Sequence, residues 1–415
     1  FLIGHNGRLF EFKDLSIRLV LFIVLMAIWF GKKIFQQQPI YALRGKLALP
    51  FSILLFFIVF GAWRGLLTNG STNIVFGDIV NYLYILLFLP FSELIRDFDF
   101  KKKLIEVMGG AVLALFLLSL ITLILFSSGI LFVHEPSGFY WWFRQVLDGK
   151  ITKIDFNFYR IVTSAHLLIL PIFLIYLSSL MNKKINGKFR FSVAILAALA
   201  SFIILVNFGR AYLMGLIFGL LFLVIGISWK YWLRFELVVI LLLIIEMVVI
   251  VFCCSRFQVS SINLVEERLN SIFGPSEELS VLTREQRLIA TKNLLSRFPI
   301  LGTGLGTFVS FFDPNAQKEQ ITYHLDWGYL EIWLELSIFG LISFLYFIYL
   351  VIKRIILLAR SDSGLNQRLL VGLGSGLLAL VVATLTGPYL FHCLGMAYLV
   401  LSAALVNQEN FYGKK

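Results

Sequence analysis

Eleven stretches of 17 or more mostly apolar residues recur along this 415-residue chain, near 15–31, 47–63, 74–91, 104–133, 159–180, 189–208, 211–228, 235–254, 327–351, 369–385 and 390–407. Each is long enough to carry an α-helix across a hydrocarbon core of roughly 30 Å, and only helices and closed barrels satisfy their backbones there. Of all residues 59% are hydrophobic and 14% charged. Soluble domains carry about 25% charged residues, which excludes a soluble globular class. The chain therefore reads as an all-α polytopic membrane protein. It opens on Phe1, and "FLIGHNGRLFEFKD" reads as a loop, so one further helix is expected ahead of it and about 11–12 transmembrane helices in all.

A net charge of +12 would point to nucleic acid in a soluble domain, but here its placement carries the information. Cations gather in alternate loops: Lys32, Lys33, Arg44 and Lys46; Arg96 and Lys101–Lys103; Lys183, Lys184, Lys188 and Arg190; Lys230 and Arg234; then Lys353, Arg354, Arg360 and Arg368. Cation-rich loops face the cytoplasm. That phase puts residues 134–158, the turn at 207–210 and the long loop 255–326 outside, and it calls for no nucleic-acid partner. Cys253, Cys254 and Cys393 show neither disulfide nor metal-ligand spacing, and no metal or cofactor is expected.

The whole chain, 1–415, reads as one transmembrane domain, without a soluble catalytic domain of 100 or more residues. The insertion at 255–326 is its informative departure. Within it "INLVEERLNSIF" and "REQRLIATKNLLSRF" have helical spacing, and Leu288, Thr291, Leu295 and Phe298 are expected on one face. Two amphipathic helices over the outer mouth of the bundle are the expected arrangement. The loop at 134–158 holds "FYWWFRQ", where Trp141 and Trp142 suit either a membrane-interface belt or a platform for sugar rings.

"RFPILGTGLGTF" resembles a phosphate cradle, yet a nucleotide fingerprint needs a strand before it and a helix after it, on the cytoplasmic side. Gly302, Gly304 and Gly306 instead read as a sharp turn after Pro299 that approaches something closely. Arg210 in "NFGRAYLMGL" heads an apolar helix at its outer end, and Arg160, Arg284 and Arg287 lie on the same side. Guanidinium groups bind phosphate oxygens bidentately, so several around one outer cavity suit a lipid-linked phosphate. His324 and Asp326 in "YHLDWGYLEIW" could be structural, Asp326 as a helix cap, or could supply a base beside those cations. The "DFD" at 97–99 reads as a solvated cytoplasmic loop.

The run "TREQRLIATKNLLSRFPILGTGLGTF" followed by "HLDWGYLEIWLELSIFG" resembles the shared C-terminal signature of the O-antigen ligase and O-antigen polymerase superfamily. Arg210 in "FGRAY" is similar to that family's "SRG" turn, with Gly209 here in place of Ser. In the ligases a His followed by Asn stands three residues before the motif Tyr. This chain has Asp326 there, with His324 two residues earlier, and "DWGY" is closer to the "DNGY" of many polymerases. The resemblance implies an inverting, metal-independent glycosyltransferase of the GT-C type. It would act at the outer face of the bacterial inner (cytoplasmic) membrane on an undecaprenyl-pyrophosphate-linked glycan, alongside chain-length regulators or other polysaccharide-assembly proteins. It implies Arg210 and Arg284 on the pyrophosphate, His324 or Asp326 at the acceptor hydroxyl, and Arg160, Arg287, Tyr329, Gly304, Trp141 and Trp142 in substrate binding. A ligase passing the glycan to lipid A core, and a transporter of lipid-linked sugars, are the other readings.

Overall fold

The computed structural model describes residues 11–12, 15–69, 72–94, 98–133, 138–155, 157–182, 186–255, 279–314, 317–323, 325–361 and 364–407. Helices dominate them: α1 (Ile17–Phe35), α2 (Ala48–Thr68), α3 (Thr72–Leu83), α4 (Phe88–Leu94), α5 (Phe98–Ser127), α6 (Phe139–Gln145), α7 (Ile169–Leu180), α8 (Gly187–Asn207), α9 (Arg210–Phe222), α10 (Trp229–Cys254), α11 (Leu279–Arg297), α12 (Gly328–Ser361), α13 (Gly364–Ala383) and α14 (Cys393–Asn407). Among the described residues, seven helices are long and apolar enough to span a membrane, and Ser164–Leu180, Arg210–Phe222 and Cys393–Asn407 are shorter apolar ones. The protein is an all-α, multi-pass membrane protein.

Every expected span coincides with helical residues, with some ends shifted, as where α9 stops at Phe222 and α12 runs on to Ser361, and three adjustments bear on the argument. The stretch at 104–133 is helical only to Ser127. The one at 159–180 begins as a strand, Phe158–Val162, which pairs antiparallel with Lys150–Asp155. "FYRIV" alternates buried and half-buried from Tyr159 on and is rich in aromatic and β-branched residues, so its apolar character is that of a buried strand and its helix starts later. The third adjustment concerns α1, whose 19 residues carry Arg18, Lys32 and Lys33.

Lys33 is buried in an ion pair, its Nζ 2.8 Å from Glu93 Oε1, while Trp29 Nε1 donates to Glu93 Oε2 at 3.1 Å. Breaking one side of a buried pair costs more than deleting both sides. Lys33→Met is therefore expected to lower stability by roughly 3–5 kcal/mol, and adding Glu93→Leu should recover much of it. Thermal unfolding in detergent reads both, and a single variant that melts with the wild type would show the pair to be inert.

Two compact units divide the chain. One comprises Phe1–Ala27, Phe98–Gly274 and Ile356–Ala379, and the other Ile28–Asp97, Pro275–Ile355 and Leu380–Lys415. In the first, the hairpin 150–155/158–162 closes over an aromatic core of Phe126, Phe143, Phe158 and Phe208.

In the second, the glycine turn explains a break in the longest helix. Gly302, Gly304 and Gly306 have φ of 65°, 89° and 79°, the left-handed region that glycine enters without steric cost. The turn presses its backbone against α2 and α12. A Cβ on Gly304 would stand 2.2 Å from Gly65 N, and one on Gly302 would stand 2.2 Å from Leu334 O. Thr303 and Gly304 N–H groups donate to Leu334 O at 2.7 and 3.1 Å, taking the carbonyl that a continuous helix would give to Ile338. Ile338 N–H donates to Ile300 O instead, at 3.1 Å. Helix α12 accordingly breaks at Ser337 (φ 80°), whose hydroxyl accepts the Gly340 N–H at 3.2 Å and restarts the helix as a cap would.

Candidate active site

In the first unit the turn between α8 and α9 sets one arginine corner. Phe208 takes φ 45°, which ends α8 in a left-handed step, and Arg210 is the first residue of α9. Arg160, on the strand 158–162, donates from Nε to the Asn207 carbonyl at 2.8 Å. Its Nη2 reaches within 3.5 Å of where a Cβ on Gly209 would stand, and Asn207 Oδ1 lies 3.0 Å from the same point. A serine at 209 would crowd Asn207 Oδ1 and Tyr212, and Arg160 reaches the turn that Arg210 follows. Behind it His166 is buried between Ser119 Oγ and Asn207 Nδ2, each at 3.3 Å, and so fixes the Asn207 side chain. Trp142 packs on the aromatic core, whereas Trp141 is exposed. The two tryptophans therefore differ: of the pair, Trp141 is the one that offers a face.

The second unit holds the other candidates. Helix α11 confirms the amphipathic helix expected over 284–298, and it lies on a second hairpin, Val309–Asp313 with Lys318–Thr322, that the sequence reading did not anticipate. Ala290, Leu294 and Leu295 pack against Val309, Leu325 and Leu334, and Thr291 is fully buried. Phe298 is 40% exposed, a correction to the expected apolar face, because the helix ends at Arg297 and the chain turns away. Arg287 sits at the edge of the buried face. Its Nη1 donates to Asp326 Oδ2 at 3.2 Å, and its guanidinium carbon stands 4.8 Å from the Phe311 ring centroid. Arg284 is exposed on the same helix.

Asp326 precedes α12, held by Arg287. Tyr329 donates its hydroxyl to Val381 O at 2.8 Å, which engages it in the fold. Gly304 serves the turn described above, where the N–H groups of residues 303–306 all meet protein acceptors. His324 and the segment "INLVEERLNSIF" lie outside the described residues.

The sequence reading passed over a set of buried and half-buried polar side chains in this unit. Tyr82 donates to Glu335 Oε2 at 2.5 Å, and Asp78 Oδ2 accepts the Gly306 N–H at 2.8 Å. Glu331 is buried, and its Oε2 has no partner among the described residues. A signal was available: Glu331 and Glu335 are four residues apart on one helical face in an apolar run, where acids are costly and therefore have a purpose. Asp78 in "FGDIVNY" is a third such acid.

These features define a multi-pass membrane protein that sets Arg210 at the head of a helix and carries two short hairpins between its membrane helices. Residues 195–345 match the family model described as O-Antigen ligase. That segment runs from α8 through Arg210, α11 and the glycine turn into α12. No curated protein matches the chain significantly.

Proposed function

We propose that the protein is a glycosyltransferase that polymerises undecaprenyl-pyrophosphate-linked oligosaccharide units at the outer face of the bacterial inner membrane. The observation that carries the reading beyond the family match is Asp326, which occupies the motif position before Tyr329 and is held by Arg287 at 3.2 Å. In this reading the terminal hydroxyl of one lipid-linked unit attacks the anomeric carbon of another. The new glycosidic C–O bond forms as the old bond to pyrophosphate breaks, inverting the carbon. The electron pair leaves on the pyrophosphate, and the hydroxyl proton passes to Asp326 or His324.

Charge develops on the leaving pyrophosphate, so fixed cations there lower the barrier. Arg210 is assigned to it, with Arg160, which reaches the same turn, as a further contact. Lipid-linked oligosaccharide incubated with purified protein and run on a gel tests the reading. A ladder is expected. Transfer only on addition of lipid A core would make the protein a ligase, and substrate left unchanged under both conditions would overturn glycosyl transfer.

The outer placement of 255–326 has its own test. Cys253 is exposed, so it must first be replaced. A cysteine then placed at Asn315 is expected to react with a membrane-impermeant thiol reagent in spheroplasts. Labelling at Ser363 with protection at Asn315 would invert the topology and remove the site from the outer face.

A further inference from the structure

A groove of about 460 Å³ runs between α11 and the strand Val309–Asp313, wholly inside the second unit, and the mechanism above makes no use of it. Its size falls in the range of small-molecule sites, roughly 300–1,000 Å³. Gln286, Asn293 and Arg297 line one wall, spaced seven and then four residues apart, so that they share one stripe of the helix. All three are exposed, and none of their side chains is hydrogen-bonded or ion-paired to a described residue. The facing wall brings Phe308, Ser310 and Phe311. Phe308 is 44% exposed and stands 5.9 Å from the ring of Tyr323, itself 38% exposed.

The chemistry of the lining selects among ligands. Each carboxamide offers an oxygen acceptor and two N–H donors, the mixture that neighbouring sugar hydroxyls complement. An exposed aromatic face takes the apolar C–H face of a sugar ring. An apolar chain would leave two amides and a guanidinium desolvated without partners, at a cost of about 1–3 kcal/mol for each group. A phosphate would find one cation and two neutral amides. Phe311 is shared between this groove and the Arg287 guanidinium, so the groove abuts the Arg287–Asp326 pair.

We propose that this groove is a glycan subsite, which holds sugar residues of the chain while the reacting end lies toward Asp326. The proposal takes its ligand class from the glycosyl-transfer reading, and its test is binding without transfer. The probe is lipid-free oligosaccharide, two to eight sugars long, released by mild acid from the surface polysaccharide of the producing strain. It is titrated onto the full chain in lipid nanodiscs. Binding is expected, weakened at least tenfold in the Gln286→Ala/Asn293→Ala double variant and in Phe308→Ala. Alanine at exposed helical positions favours the helix, so the double variant should fold even if Phe308→Ala does not.

Asp326→Asn is expected to keep the binding. No binding by the wild type, or equal binding by the double variant, overturns the subsite whether or not a ladder forms. Binding that depends on Gln286 and Asn293 in a protein that forms no ladder supports the subsite and counts against the transfer reading alone.

Discussion

Gly304→Ala is expected to unfold the second unit rather than to weaken a substrate contact. A Cβ at this position would stand 2.2 Å from Gly65 N, 2.6 Å from Gly65 Cα and 2.7 Å from the Arg64 carbonyl carbon, all of them backbone atoms. No rotamer change relieves that overlap, so α2 or the turn has to move. The residue would also be held at φ 89°, which costs a non-glycine residue roughly 1–3 kcal/mol. With overpacking of another 1–3 kcal/mol, the loss is about 2–6 kcal/mol. Stabilities of native domains are roughly 5–15 kcal/mol in all.

Movement of the turn would also release Arg64 Nε from Gly302 O and Asn69 Nδ2 from Leu305 O, both 2.8 Å contacts. Size-exclusion and thermal melting in detergent should show aggregation or a large drop in melting temperature. Gly110→Ala is the control, since nothing lies within 4 Å of its added methyl, and it should melt with the wild type. Equal stability of both variants would show that the turn does not clamp α2.

The parts of the fold that the sequence disclosed are those set by local pattern. Apolar runs of fixed minimum length give membrane helices, and the 3.6-residue period of 284–298 gives α11. The turn was legible too, because three alternate glycines have few other uses. What it turns against was not. The acceptors of its N–H groups come from Gly61, Asp78 and Leu334, the first two more than 200 residues away, and no spacing rule reports such pairing.

The hairpins 150–155/158–162 and 309–313/318–322 were missed for a related reason. "VSFFD" alternates over only five residues and "KEQIT" opens on three polar ones, too weak a signal to stand out beside long apolar helices. The arginines divide in the same way. Arg210 was found because it heads a helix, an effect of local sequence. Arg160 was read on the same side, but its tie to the carbonyl of Asn207 was not legible, because it depends on a strand. Arg284 and Arg287 read alike in sequence, and the fold leaves one exposed while the other meets Asp326.

Arg210→Lys is expected to lower transfer by about 10²–10³-fold, the loss typical of removing one donor from a preorganised charge-stabilising site. The substitution keeps the positive charge. What it loses is the planar fork that meets two oxygens of a phosphate at once, and a lysine ammonium on a flexible stem does not reproduce it. At this corner Phe208 and Gly209 set the chain angle, and Arg160 is tied through Nε to Asn207 O.

Because the developing charge is greatest in the transition state, kcat should fall far more than donor affinity. Melting temperature should stay near that of the wild type, since Arg210 stands at a helix start and is only half-buried. Arg160→Lys should be milder in turnover but costlier in stability, because it breaks the bond to Asn207 O. Turnover measured on lipid-linked oligosaccharide, beside melting of the same preparations, separates these outcomes. An Arg210→Lys protein that makes the full ladder at the wild-type rate would remove Arg210 from the pyrophosphate and leave its role to the helix head alone.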